Sequence, residues 1–160
     1  EKILKENSNS LIIRSNFYCW GPRYRKSFSD FIYENLLANI SIKLFKDIFY
    51  TPIKAKELIR IVLMLENTNA SGIYNISSSE RITKYDFGLQ LAEIFNLKKN
   101  LINASSINSR KDLVLRPKNM CLSNSKLISK LNISINTLKE SLTDLKMELD
   151  SKYYMQLKKL

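Results

Sequence analysis

Three groups of side chains have the types and spacing that chemistry needs. Ser15, Asn16 and Phe17 follow the apolar run Leu11-Ile12-Ile13. They fall at the end of a strand buried on both faces, where polar and aromatic groups can reach a ligand. The plainer alternatives are a turn in which Ser15 and Asn16 satisfy their own backbone, and a core ring for Phe17. Arg116 stands before Pro117 in an extended stretch. A guanidinium there can pair with phosphate or carboxylate oxygens two at a time; its alternative is a structural salt bridge. Trp20, with Arg23 and Arg25 close behind, has the spacing of a base-stacking platform or of a lid over a cleft. Asp47 and Glu57 read as anchors for loops, Lys84 and Tyr85 as helix-start packing, and Cys19 and Cys121 as inert thiols.

Composition removes more chemistry than it adds. The 160 residues contain no His, which excludes Ser-His-Asp and Cys-His catalysis and every His-ligated zinc site. Two cysteines cannot make a four-thiolate site, and they read as buried thiols of a reducing cytoplasm. The three glycines, Gly21, Gly72 and Gly88, are too far apart for a phosphate-cradling loop. The chain carries 26 Lys+Arg against 15 Asp+Glu, a formal +11. Such a field attracts nucleic acid, acidic membranes or phosphorylated small molecules. The cations are dispersed, however, with no block of five like charges, as on a solvated Lys-rich surface. Nucleic acid is therefore not the expected partner. A membrane is not expected either, because runs such as Ile61–Leu65 fall far short of the ~20 residues of a span.

The elements that must position these residues follow from periodicity. Residues 1–7 read as the last turns of a helix, and Leu11–Phe17 as a buried strand. Phe28, Phe31, Ile32, Leu36 and Leu37 predict an amphipathic helix over 28–38. Ser41–Phe45 alternates and reads as a strand. Lys54–Glu66 predicts a second helix, closed by Ser71-Gly72, and Ile73–Ile76 a second buried strand. Ser77–Glu80 is a polar turn. Thr83 and Asp86 form a variant of the capping box, opening a helix that runs to about Asn96. Leu101-Ile102 reads as a strand and Asn103–Lys111 as a polar loop. Ser123–Leu131 predicts a short helix. Asn136 caps a final one carrying Leu138, Leu142, Leu145 and Leu149. Strands alternating with helices argue an α/β fold.

Several stretches resemble a known family in order and spacing. Leu11–Phe17 followed by Trp20-Gly21-Pro22 resembles the strand and R-T-S-W-x-Y-G-P turn of extended short-chain dehydrogenase/reductases. Asp47, Pro52 and Glu57-Leu58 resemble D-Q-x-G-S-P-T-x-x-x-D-L. Gly72–Ser77 resembles G-I-Y-H-L-A, and Tyr85-Asp86-Phe87 resembles W-Y-E-F-A. Arg116–Ser123 with Lys126-Leu127 resembles R-P-x-N-S-x-L-D-x-x-K-L. Together they are similar to the carboxy-terminal half of the dTDP-4-dehydrorhamnose reductase family. Departures are Ile48-Phe49-Tyr50 in place of Gln-x-Gly, one extra residue before Gly21, and Ser123 in place of Asp.

The resemblance implies the carboxy-terminal part of a Rossmann-like fold, with parallel strands and a small helical substrate-binding lobe. Residues 1–150 would be the substrate-binding half of a sugar-nucleotide reductase, and 151–160 a charged helical tail. The ligand would be a nucleotide sugar, touched by Ser15, Asn16, Phe17 and Arg116. The reaction would be hydride transfer to a 4-keto-deoxysugar nucleotide in polysaccharide biosynthesis in the cytoplasm. The cofactor, NADPH or NADH, would be bound mainly by an amino-terminal half that also carries the catalytic Tyr-x-x-x-Lys pair. This chain would then begin just after that pair, and alone would be catalytically silent and poorly stable. A homodimer is left open. Two segments fit Tyr-x-x-x-Lys literally, Tyr50–Lys54 and Tyr154–Lys158. Pro52 would disrupt a helix across the first, and the second lies in the tail, so neither is expected to be catalytic. Rival readings are a regulatory subunit resembling the β subunit of methionine adenosyltransferase, a nucleic-acid-binding module, or an epimerase or dehydratase on the same scaffold.

Overall fold

A computed structural model describes residues 1, 6, 9–109 and 117–160. Its strands are short and pair mostly in parallel. The apolar run forms β1 (Leu11–Arg14), which pairs in parallel with β6 (Gly72–Asn75) in the register Ile12↔Ile73 and Ile13↔Tyr74. The expected strand 11–17 breaks at Ser15–Asn16, because the chain changes neighbour there. It resumes as β2 (Phe17–Tyr18) beside β5 (Ile53–Lys54), with the Ile53 amide donating to the Asn16 carbonyl at 3.1 Å. Next come β3 (Ile42–Phe45), paired in parallel with β8 (Ile102–Ser105), and β4 (Phe49–Tyr50). The latter lies between antiparallel β7 (Ile82–Thr83) and parallel β9 (Asn119–Met120).

Among the described residues six α-helices accompany the strands. They are α1 (Phe28–Leu37), α2 (Ala55–Asn67), α3 (Lys84–Ile94), α4 (Ser125–Leu131), α5 (Leu138–Met147) and α6 (Lys152–Leu157). Two apolar clusters form around them. The larger gathers Tyr18, Ile32, Tyr50, Phe87, Leu91 and Leu142, and the smaller Ile53, Ile61, Leu65, Tyr74 and Leu127.

Three expectations need correction. Residues 103–105 continue the strand begun at Ile102 and are not loop: Ile102 is buried against β3, while the exposed Asn103 amide is satisfied by the Ser41 hydroxyl at 2.6 Å. The cap of α5 is Thr137, one residue later than Asn136, in a reciprocal box with Glu140. Ser71-Gly72 does not close α2, which ends at Asn67. The helix expected over 1–7 falls largely outside the described residues.

The shortage of glycine explains how the helices end. The chain leaves α1, α2, α3 and α4 through Asn39, Asn69, Asn96 and Asn132, each at φ between 50° and 57°. Helix exits often use a left-handed residue, and after glycine asparagine tolerates that conformation best.

The loop after β2 is held by one buried carboxylate. Asp30 is fully buried in the first turn of α1. Its Oδ2 accepts from the Gly21 amide at 2.7 Å and the Ser27 amide at 2.8 Å, and its Oδ1 from Lys158 Nζ at 2.6 Å. Gly21 is needed for this turn, since a Cβ there would lie 2.3 Å from the Arg25 carbonyl oxygen. Through Lys158 the tail is tied to this loop, and Tyr154 meets Trp20 edge-on with centroids 5.3 Å apart. Asp30→Ala leaves the Gly21 and Ser27 amides without their acceptor and Lys158 with only the Gly21 carbonyl and Glu34, and should cost about 3 kcal/mol of stability. Urea denaturation checks this, with Ser27→Ala, which removes only the cap hydroxyl, expected to cost about 1 kcal/mol.

Candidate functional site

The change of neighbour at the end of β1 decides where the first candidate residues point. Asn16 is not spent on its own turn: its Nδ2 reaches across the fold to the Met120 carbonyl on β9 at 2.8 Å. Phe17 is not a core ring, being 62% exposed. The Ser15 hydroxyl is buried and has no hydrogen-bond partner among the described residues. Arg116 lies outside the described residues. Its neighbour Pro117 and nearby Met120 line a cavity, and Asn16 is bonded to Met120, so the structure brings Asn16 to the segment that follows Arg116.

Two clefts share the Phe28 ring. The first, of about 400 Å³, lies between Phe17, Pro22, Arg25 and Phe28. The second, of about 290 Å³, is walled by Phe28, Phe31, Ile48, Pro117 and Met120, with Lys84 and Lys43 as its charged members. Trp20 is not a stacking platform. It is 4% exposed, and its indole Nε1–H donates to the Leu145 carbonyl at 3.0 Å.

Lys84 was legible only as helix-start packing, and its place in the cavity is new. Thr83 caps α3, its hydroxyl accepting from the Asp86 amide at 3.0 Å, which fixes Lys84 as the first helical residue. The Lys84 amide donates to the Ile48 carbonyl at 3.2 Å. Its ammonium lies 3.5 Å from the centroid of the Tyr50 ring and 4.6 Å from that of Phe28. Aromatic faces attract a cation through their quadrupole. Burial still disfavours the charged form and pushes the pKa down to about 8.

The carboxylates act as anchors. Asp47 accepts from the Ser106 hydroxyl at 2.6 Å and the Ile107 amide at 2.9 Å, and lies 3.7 Å from Lys118 Nζ. It thus ties the β3–β4 connection to the chain on both sides of 110–116. Burial works to raise its pKa, but these bonds and the Lys118 charge outweigh it, and the net shift is downward. Glu57 grips Arg60 at 2.6 and 2.9 Å along α2.

Neither Tyr-x-x-x-Lys segment is set up as an acid. Lys54 turns from Tyr50 to Asp144 and Glu148, at 2.5 and 2.6 Å. The Tyr50 hydroxyl is buried without a hydrogen-bond partner among the described residues, and burial, then Tyr18, holds its pKa well above the ordinary value. Lys158 lies 5.5 Å from the Tyr154 ring but is bonded to Asp30. Burial raises the Tyr154 phenol despite that cation.

Residues 1–151 match the RmlD substrate binding domain. The chain belongs to that family. It is 29% identical over 143 residues to the probable low-salt glycan biosynthesis reductase Agl14 of Haloferax volcanii, covering 87% of this chain and 47% of that protein. Its fold matches the dTDP-4-dehydrorhamnose reductase of Bacillus anthracis solved with NADP, at TM-score 0.77, 19% identity, 86% of this chain and 48% of that one. The dTDP-4-dehydrorhamnose reductase of Clostridium acetobutylicum matches at TM-score 0.76 and 19% identity, over 88% and 49%. The likeness shows the Rossmann-like reductase fold with its parallel strands. This RmlD-type domain spans about half the length of the relatives it matches.

Lys84 gives the domain a pH signature. Between about pH 8 and the ordinary lysine value near 10.5, the unfolded chain binds more protons at this side chain than the folded one. Stability contributed there should therefore rise with pH across that window. Below it both forms are charged and the burial penalty is fully present. Urea midpoints measured across that window should rise in the wild type relative to Lys84→Met, which has nothing to titrate.

Proposed function

We propose that this chain is the substrate-binding half of an NAD(P)H-dependent reductase acting on a 4-keto-deoxysugar nucleotide. The observation that carries the reading is the pair of clefts meeting at Phe28, placed where Asn16 and Phe17 leave the β1 strand end. The second cleft suits a flat nucleobase against Phe28 and Met120. The first, with exposed Phe17 on one side and Arg25 on the other, suits a deoxysugar with its apolar face on an aromatic ring. Ser15, Asn16, Phe17 and Arg116 are the proposed substrate contacts, with Arg116 directed to the pyrophosphate.

The nicotinamide cofactor is assigned elsewhere in the protein. A dinucleotide pyrophosphate is held by a glycine-rich turn at a helix start. All three glycines of this chain are used otherwise. Gly21 serves the Asp30 turn, Gly72 takes φ +85° at the start of β6, and at Gly88 a Cβ would lie 2.3 Å from Leu44 Cδ1. The residues present do not fit that group, so its grip is proposed to come from outside these 160 residues, together with the acid that protonates the sugar carbonyl. No helix among the described residues is long and apolar enough to cross a membrane. The unpaired Cys19 and Cys121 fit a reducing cytoplasm as the place of reaction.

The test is turnover by the full-length protein. With NADPH or NADH and dTDP-4-keto-6-deoxyhexose, cofactor oxidation should be seen, and Phe17→Ala should lower kcat/KM up to about 10-fold through loss of ring contact. No oxidation with 4-keto-sugar nucleotides, combined with stable binding to a methionine adenosyltransferase catalytic subunit, would replace this reading with the regulatory one.

A further inference from the structure

We propose that Lys158 is a positioning residue for the first cleft: its ammonium clasps the loop 21–27 and holds Pro22 and Arg25 in place opposite Phe17. The inference deepens the reading above and rests on it. The clasp comes from α6 and its exit, which lie beyond the family-matched residues 1–151. The residues lining the cleft fall between Phe17 and Phe28. Lys158 therefore acts on the cleft through the loop, not by touching what fills it.

One face of α6 is turned to this contact. Tyr154, Leu157 and Lys158 are half-buried, whereas Lys152, Tyr153 and Lys159 are exposed. Residues three and four apart share a helix face. The Ser151 hydroxyl caps α6 by accepting from the Tyr154 amide at 3.1 Å, and the Lys158 amide donates to the Tyr154 carbonyl at 3.0 Å. The Lys158 backbone thus has a fixed place. An ammonium has three N–H donors, and three oxygens receive them: Asp30 Oδ1 at 2.6 Å, the Gly21 carbonyl at 3.1 Å and Glu34 Oε1 at 3.4 Å. Burial works to lower the Lys158 pKa, but the Asp30 bond and charge, with Tyr154 and Glu34, outweigh it and the net shift is upward.

Each of these partners bears on the loop. Asp30 accepts the amides of Gly21 and Ser27 and so closes the loop at both ends. The Gly21 carbonyl belongs to the planar peptide that joins Gly21 to Pro22, so its bond to Lys158 sets the direction in which the loop leaves. The Arg25 amide donates to the Pro22 carbonyl at 3.1 Å, which carries that direction on to Arg25. Glu34 meets Lys26 at 2.6 Å as well as Lys158. Arg23, Tyr24 and Arg25 are themselves exposed. Packing therefore does little for the outer part of the loop, and the polar clasp decides where it sits.

The experiment uses the full-length protein with NADPH or NADH and dTDP-4-keto-6-deoxyhexose, and trypsin as a probe of the loop. Lys158→Met should raise KM for the sugar nucleotide about 10-fold, as for loss of one hydrogen bond to a charged group, and leave kcat nearly unchanged. A mere loss of folded protein would do the reverse, lowering apparent kcat at constant KM. On an Arg25→Ala background Lys158→Met should add little, because residues acting through one contact are not additive. Trypsin should cut after Arg23 and Arg25 faster in Lys158→Met than in wild type. Tyr154→Leu keeps the Asp30–Lys158 pair but loses the edge-on contact with Trp20, so it tests the clasp however Lys158→Met folds. It should raise KM about 3-fold. Unmoved KM in both variants of an active enzyme overturns this inference alone, even if trypsin cuts faster. A full further rise in KM on the Arg25→Ala background also overturns it, since the effect would not pass through the loop. A wild type that oxidises no cofactor with 4-keto-sugar nucleotides overturns the substrate reading and this inference together.

Discussion

The ring of Phe87 is the constraint on which the site depends. It is fully buried on α3, with the Tyr18, Phe28 and Tyr50 rings 5.1, 5.5 and 6.0 Å away. Those three rings come from β2, the start of α1 and β4. One side chain therefore fixes the strand end that carries Phe17, the wall shared by both clefts and the face under Lys84. Offset and edge-on aromatic packing has preferred geometries as well as area, so such a node sets directions and not only proximity. The next residue reinforces it. Gly88 lets α3 lie close against Leu44 of β3, where a Cβ would have to displace the Leu44 side chain.

The charge excess is handled unevenly. Asp30, Asp47, Glu57 and Asp144 each engage a cation or a backbone amide where a loop or helix must be held. The acidic groups are thus used for anchoring, and a net positive balance remains near the clefts. A field of this kind draws phosphorylated ligands without specifying them. Specificity must come from directed groups and shape, which is why the half-buried side chains around Phe28 matter more than the exposed lysines.

Much of this was legible in order and type. The Leu11–Ile13 run, the α1 and α3 faces and the leucines of α5 are periodic, and the structure follows them. The neighbour change at Ser15–Asn16 was not legible, because it depends on Ile53 arriving alongside from far down the chain. The start of β8 at Ile102 was legible, but its continuation was hidden by Asn103, a polar residue facing solvent. Lys84 packs at the helix start as its position suggests, but the rings it packs on, Phe28 and Tyr50, come from other elements and were not legible. Trp20 ran the other way: neighbouring arginines suggested exposure, while Leu145 offers a buried acceptor that no local pattern reveals.

Lys54 and Lys84 show why burial alone does not mark function. Lys54 is 3% exposed and flanked by Asp144 and Glu148 within 2.6 Å, so its charge is neutralised and its donors point at fixed carboxylates. Such a group joins β5 to α5, and little is left to offer a ligand. Lys84 is stabilised by ring faces, which attract its charge without supplying oxygen acceptors. The first arrangement is complete as it stands. Lys84 has ring faces and, among the described residues, no carboxylate, so the two lysines differ in their partners as well as in their exposure.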